Sequence, residues 1–266
     1  MADLYTVQDL HLSLPDMTRK AVLSAAPRVD ILKGISFTLP KGSVLGIVGG
    51  SGSGKSTLGR AMVRLLEPTG GTVQFSGTDV THMTQTQLRP LRRRFQMIFQ
   101  DPLSSLNPRH RVRTIIAEPL RLHGFSDIPA RVQRALDLVG LPQTLATRFP
   151  HELSGGQRQR VGIARAIAME PEFILADEIV SGLDVSSQAQ VLNLLEALVQ
   201  DLGLTLAFIS HDLSVIRRLC ARVIVLHRGR IVEDQETSAL FAAPSAAYTR
   251  ELLAAIPLPD PDQVWV

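Results

Sequence analysis

The chain has one cysteine, Cys220, in 266 residues. That excludes a disulfide within the chain and any multi-cysteine zinc or iron–sulfur site. Cys220 closes the apolar stretch Val215-Ile216…Leu219-Cys220, where a packing role is expected over a reactive one. Aromatic residues are scarce, at 5% with two tyrosines and one tryptophan. The densest basic run, Arg92-Arg93-Arg94, has no aromatic side chains interleaved with it to stack bases. It reads as a solvated face, and no nucleic-acid partner is expected. No stretch approaches the roughly 18 apolar residues that span a bilayer, and Met1-Ala2-Asp3-Leu4-Tyr5 lacks the charged-then-apolar layout of a signal peptide. The expectation is a cytoplasmic protein, free to dock on a membrane-bound one. The formal charge is only +3, and no repeat or low-complexity segment breaks the chain. With 45% apolar and 20% charged residues it is a folded protein, long enough for one large domain or a core with an inserted subdomain.

Against these absences stands residues 49–57: Gly49-Gly50-Ser51-Gly52-Ser53-Gly54-Lys55-Ser56-Thr57. Gly49 to Ser56 satisfies G-x-x-x-x-G-K-[ST], whose chance occurrence in such a chain is on the order of 1%. The apolar run Val44–Val48 before it reads as a buried strand, and Leu58–Leu66 after it as a helix. Glycines let successive backbone N–H groups turn inward on phosphate oxygens, and the helix N-terminus adds partial positive charge. Lys55 is placed to reach the β- and γ-phosphates, and Ser56 to ligate Mg²⁺. The motif marks a nucleotide-phosphate site.

The N-terminal part alternates short apolar runs with turns, at Leu4–Leu14, Ile35–Leu39, Val44–Val48 and Thr72–Phe75, which predicts a β-rich region around the loop. Pro15–Asp30 is weakly patterned and reads as a loop. From Asp101 the character changes. A turn-rich connection, Asp101–Pro108, leads to helical periodicity over Val112–Leu122 and Ala130–Val139, a helical insertion. Beyond it, helices over Gln157–Met169, Ser187–Gln200 and Leu213–Leu219 alternate with strands at Phe173–Ala176, Leu204–Ile209 and Arg222–Leu226. This alternation predicts an α/β fold with a mostly parallel sheet. Pro257–Pro261 reads as an unpacked tail.

Two further motifs carry chemistry. Asp177-Glu178 closes the strand Phe173–Ala176, where Asp177 can hold Mg²⁺ and Glu178 can polarise an attacking water. Leu153-Ser154-Gly155-Gly156-Gln157 sets a serine cap and two glycines at the mouth of a helix, a second anion-binding terminus in one chain.

With these strings in view the chain resembles the ATP-binding subunits of ATP-binding-cassette (ABC) transporters over nearly its whole length. Ser154, Gly155, Gly156 and Gln157 match that family's signature, which acts in trans. Gln100 matches the Q-loop glutamine that links the Mg²⁺ site to the membrane subunit. Ser181-Gly182-Leu183-Asp184 resembles the D-loop, and His211 the switch histidine facing the γ-phosphate. A narrower likeness, to the oligopeptide/dipeptide/nickel importer group and its F-type member, is carried by Phe99–Arg109, Pro150–Leu153, Asp184-Val185-Ser186 and Tyr248–Leu253.

The resemblance implies a P-loop NTPase (RecA-like) core with an N-terminal antiparallel β subdomain and an inserted α-helical subdomain. Residues 1–235 would form the nucleotide-binding domain, with the insertion at about 101–165, and 236–266 a short C-terminal helical extension and tail. It implies ATP and Mg²⁺ as ligands, with Gly49–Thr57 on the phosphates, Ser56, Gln100 and Asp177 at the metal, and Glu178, His211 and Gln100 in catalysis, beside the D-loop Asp184. It implies a second ABC ATPase packed head to tail, two permease subunits, a solute-binding protein acting indirectly, and a place at the cytoplasmic face of the membrane. The alternative is a soluble ABC ATPase of a non-transport complex, of the phosphonate-breakdown or nucleic-acid- and ribosome-associated kind. Three positions depart from the family pattern. Ile179 stands where proline is common, which points to altered loop stiffness; Gly182 replaces alanine and is expected to loosen the D-loop; Leu14 fills the place of an adenine-stacking aromatic. Tyr5 lies too early in its strand to take that role, so adenine is expected on Leu14 or on the 15–30 loop.

Overall fold

The computed structural model describes residues 2–16 and 26–255. β1 (Asp3–Pro15) and β2 (Arg28–Pro40) pair antiparallel over most of their length. Part of the expected 15–30 loop lies outside the described residues, and its end is strand, since β2 starts at Arg28 and not near Ile35. Arg28, Val29 and Asp30 are exposed at a sheet edge, so that end shows no inward-facing alternation to read. After β3 (Val44–Val48) and α1 (Lys55–Met62), β4 (Gly70–Phe75) and β5 (Thr78–Asp79) complete a four-stranded antiparallel sheet in the order β2-β1-β4-β5.

The helix expected to run to Leu66 stops at Met62. Arg64 turns left-handed at φ +53° and is buried, its guanidinium donating to the carbonyls of Val80, Leu66 and Met83. Next, α2 (Gln85–Leu88) leads to β6 (Phe95–Ile98). The arginine run between them is not the solvated face expected. Arg94 grips the Glu172 carboxylate at 2.5 and 3.1 Å, and Arg92 donates to the Arg64 carbonyl and to Gln85. Only Arg93 faces solvent fully, because the other two brace the start of β6 against its neighbours.

The insertion comprises α3 (Pro102–Ser105), α4 (Val112–Leu122), α5 (Ile128–Leu138), two short 3₁₀ turns and α6 (Gly155–Ile167). Alternation then follows as β7 (Phe173–Asp177), α7 (Val185–Leu202), β8 (Thr205–Ile209), α8 (Leu213–Leu219) and β9 (Arg222–His227). The chain continues through β10 (Arg230–Glu236), α9 (Thr237–Ala242) and α10 (Ala247–Ala254). The second sheet has the order β10-β9-β3-β8-β7-β6, parallel from β9 to β6 with β10 antiparallel at the edge.

Both faces of this sheet are covered, so its strands read as continuous apolar runs. Successive residues enter different cores. Ile47, Leu175 and Ile209 pack toward the antiparallel sheet, whereas Val48, Ala176 and Phe208 pack toward the helical insertion. Each large side chain fully buried this way stabilises by about 1.5–3 kcal/mol. The C-terminal ends of β3 and β7 stand two strands apart, with β8 between them, and this brings the two acidic residues beside the phosphate loop.

Candidate active site

Gly49 leaves β3 at φ +149°, and a Cβ on it would lie 2.2 Å from the Leu226 carbonyl oxygen, so no other residue fits. The loop delivers Gly54 as the cap of α1, and no side chain caps this helix. The first-turn N–H groups therefore remain for an anion. They border a cavity of about 500 Å³ lined by Ser51 to Thr57, Glu178 and His211. Ser53 is buried and its hydroxyl has no partner among the described residues. Lys55 rests on the loop itself, its Nζ donating to the carbonyls of Gly49 at 2.8 Å and Gly50 at 3.2 Å. Burial lowers the pKa of this ammonium below the usual lysine value, against the pull of Glu178 and Asp177.

Ser56 Oγ donates to Asp177 Oδ1 at 2.9 Å. Asp177 is buried, which pushes its carboxyl above the usual range despite that hydrogen bond and the nearby Arg60 and Lys55. A hydroxyl and one carboxylate are hard oxygen donors of the kind Mg²⁺ uses when phosphates and water complete its shell. These two side chains therefore fit a Mg²⁺ ion brought with a nucleotide.

Glu178 is held in the left-handed region at φ +50°, a conformation costing on the order of 1–3 kcal/mol for a non-glycine residue. Its N–H donates to the Ile209 carbonyl at 2.9 Å, and its own carbonyl accepts from Ser181 N and Oγ. Its carboxylate meets two of the other candidate catalytic residues. Gln100 Nε2 donates to Oε2 at 2.9 Å, and His211 Nδ1 lies 3.7 Å from the same oxygen. Gln100, expected at the metal with Ser56 and Asp177, thus bonds Glu178 in this structure.

The remaining candidates gather elsewhere. Ser154 caps α6 by accepting from Gln157 N, while the Gln157 side chain accepts from Ser154 N. Gly156 packs against Ser187, whose N–H and hydroxyl both bond the Asp184 carboxylate. Signature and D-loop residues therefore form one patch that does not line the phosphate cavity. Two contacts to the loop escape sequence reasoning. Ile31 of β2 packs over Gly54, and Tyr248 of α10 accepts from Gly50 N at 2.8 Å. Neither residue carries a local motif for this contact. Leu14 pairs with Val29 in β1–β2 and is half-buried.

The ABC transporter family model matches residues 32–181, which include the phosphate loop, the signature and the acidic pair. The chain belongs to the ABC transporter family. A Brucella ovis protein, named provisionally as a peptide import ATP-binding protein, is 52% identical over 248 residues, which are 92% of this chain and 76% of the relative. The oligopeptide transport ATP-binding protein AppF of Bacillus subtilis is 49% identical over 86% of this chain and 71% of its own. Among solved structures, the dimeric post-hydrolysis state of the ATP-binding cassette MJ0796, bound to ADP and phosphate, superposes with a TM-score of 0.77 at 27% identity. That match covers 88% of this chain and 98% of the other. CbiO1 of Clostridium perfringens gives 0.78 at 27% identity, covering 91% and 92%. This ABC ATPase therefore has the expected α/β cassette with its antiparallel subdomain and helical part. Within it Ile179 is a buried core residue, and Gly182 sits in the left-handed region at φ +77°, which glycine adopts more readily than alanine.

Proposed function

We propose that this ABC ATPase hydrolyses ATP to power a binding-protein-dependent importer of peptides or related small solutes. The observation that carries the catalytic reading is the meeting of Gln100 and His211 on one Glu178 oxygen beside the Lys55 loop. Lys55 would exchange the Gly49 and Gly50 carbonyls for β- and γ-phosphate oxygens, and the first turn of α1 would bind the same phosphates. Ser56 and Asp177 would hold Mg²⁺, which supplies charge neutralisation on the phosphates when bound. Glu178 then acts as the general base that orients the attacking water, with His211 and Gln100 fixing its carboxylate.

The patch of Ser154, Gly155, Gly156, Gln157 and Asp184 lies apart from this cavity and would serve the site of a second ATPase packed head to tail. A groove lined by Leu65, Phe95, Met97 and Phe99 opens beside Gln100, with Leu65 and Phe99 exposed. It suits a short helix from one permease subunit, the second permease docking on the partner ATPase, so that Gln100 joins the permease contact to the catalytic carboxylate. A solute-binding protein would act through the permeases, and the ATPase would sit peripherally at the cytoplasmic face. No described helix is long and apolar enough to cross a membrane. The names of the relatives favour import over the soluble non-transport alternative. In the test, Glu178→Gln binds MgATP like the wild type and hydrolyses it at least ~100-fold more slowly. Cells carrying it in place of the wild type lose uptake of a labelled oligopeptide. Wild-type turnover would refute the catalytic assignment, and unchanged uptake the transport one.

A further inference from the structure

We infer that Tyr248 is a positioning residue for the nucleotide, acting through the Gly49–Gly50 peptide. Its hydroxyl accepts the Gly50 N–H at 2.8 Å. The carbonyl at the other end of the same peptide, that of Gly49, accepts the Lys55 ammonium at 2.8 Å. A peptide unit is planar, so an anchor on its N–H fixes the direction of its C=O. The hydroxyl thus holds the entrance of the phosphate loop in one orientation, so the loop meets a phosphate already ordered.

The approach depends on Gly50. A Cβ there would lie 2.9 Å from Tyr248 Oη, closer than a carbon tolerates. The tyrosine is itself framed by the sheet that feeds the loop. Its ring packs on His227, at the end of β9, with ring centres 3.9 Å apart. The lead-in to α10 is held by Glu233 of β10, a buried carboxylate. Glu233 accepts from Ser245 N at 2.7 Å, Ser245 Oγ at 2.9 Å and Ala246 N at 3.1 Å. β9 pairs with both β10 and β3. The C-terminal helix and the strand entering the loop therefore share one rigid support, and Tyr248 Oη is the contact between them. Tyr248 does not line the cavity that holds Glu178 and His211, so the hydroxyl is assigned to nucleotide affinity and not to the chemical step.

The inference rests on the reading of Gly49–Thr57 as the ATP site, and Lys55→Ala tests that reading separately. MgATP affinity is measured by calorimetry on the full chain, and KM and kcat on the assembled ATPase pair. Tyr248→Phe keeps the ring on His227 and removes only the oxygen. It should raise Kd and KM roughly three- to tenfold, the worth of one hydrogen bond, with kcat within about twofold and a melting temperature lower by no more than about 6 °C. Gly50→Ala, which displaces the hydroxyl without deleting it, should raise Kd similarly, and the double variant should be no worse than either single one. A wild-type Kd for Tyr248→Phe, or additive effects in the double variant, overturns the inference. If Tyr248→Ala lowers the melting temperature while Tyr248→Phe binds normally, the residue is structural only. Lys55→Ala binding MgATP as tightly as the wild type would instead overturn the phosphate-loop reading.

Discussion

Tyr5→Phe should make this protein more stable. Tyr5 is fully buried, and its hydroxyl has no hydrogen-bond partner among the described residues. Its ring touches Phe173 edge-on at 4.7 Å and Phe75 at 5.1 Å. Burial alone pushes the phenol pKa well above its usual value. A buried hydroxyl without a partner costs about 1–3 kcal/mol. Removing one oxygen leaves a void of only ~10 Å³, a penalty of about 0.2 kcal/mol. The aromatic contacts persist in phenylalanine, so the net gain is about 1–3 kcal/mol. For a chain of this size that raises the melting temperature by about 2–4 °C per kcal/mol. Urea unfolding should show a higher midpoint with an unchanged slope, which assigns the effect to the native state. ATP affinity should not move, since Tyr5 faces the core and not the phosphate cavity. A destabilised Tyr5→Phe would mean that the hydroxyl is satisfied, and the reasoning fails. An altered Kd for ATP would show that Tyr5 influences the base site despite its early place in β1.

Leu14→Trp should tighten ATP binding by up to about 1 kcal/mol if adenine stacks at this end of β1, and an unchanged Kd would direct attention to Ile31 over Gly54. Ser154→Arg removes the α6 cap and should cost about 1 kcal/mol of stability. It should leave monomer ATP binding intact while abolishing ATP-induced dimers in a Glu178→Gln background, as followed by light scattering; persistence of those dimers would refute the head-to-tail model. Arg94 hydrogen-bonds Glu172 and holds its carboxyl below the usual carboxylate range. That stabilisation is complete above the unfolded glutamate value of about 4.3 and is lost as pH falls through the lower folded value. Arg94→Met should therefore flatten the acid limb of the stability profile, and an unaltered limb would show the pair to be neutral.

What the sequence makes legible is what is contiguous. The loop at Gly49–Thr57, the pair Asp177-Glu178 and the cap at Ser154–Gln157 are each short strings whose chemistry is local, and each occupies the element expected of it. The buried strands β7 and β8 are equally plain, because both faces are covered and every residue but the closing Asp177 of β7 is apolar or small. The harder features depend on distant partners. Gly50 and Tyr248 meet across a separation of 198 residues, and only the fold discloses the bond. β10 was invisible as Arg230-Ile231-Val232-Glu233-Asp234-Gln235-Glu236, because an edge strand keeps its charges in water except at Glu233, which turns in to hold α10. The arginines before β6 read as surface because their carbonyl and carboxylate partners come from other elements. Glu178's left-handed backbone has no signature at all, since Ile209 and Ser181 enforce it.

The capping box on α6 has a consequence for the speed of pairing. Ser154 and Gln157 satisfy each other within the helix terminus, and Asp184 and Ser187 do the same beside it. The face proposed for a second cassette is thus already ordered in the lone subunit. Few rotamers remain to be frozen when two copies meet, so little of the association energy is spent on local ordering. Encounter is then governed by how often the two faces present themselves in register. Small changes in subunit concentration or tethering to a shared permease would shift the rate directly, as expected for docking between preformed surfaces.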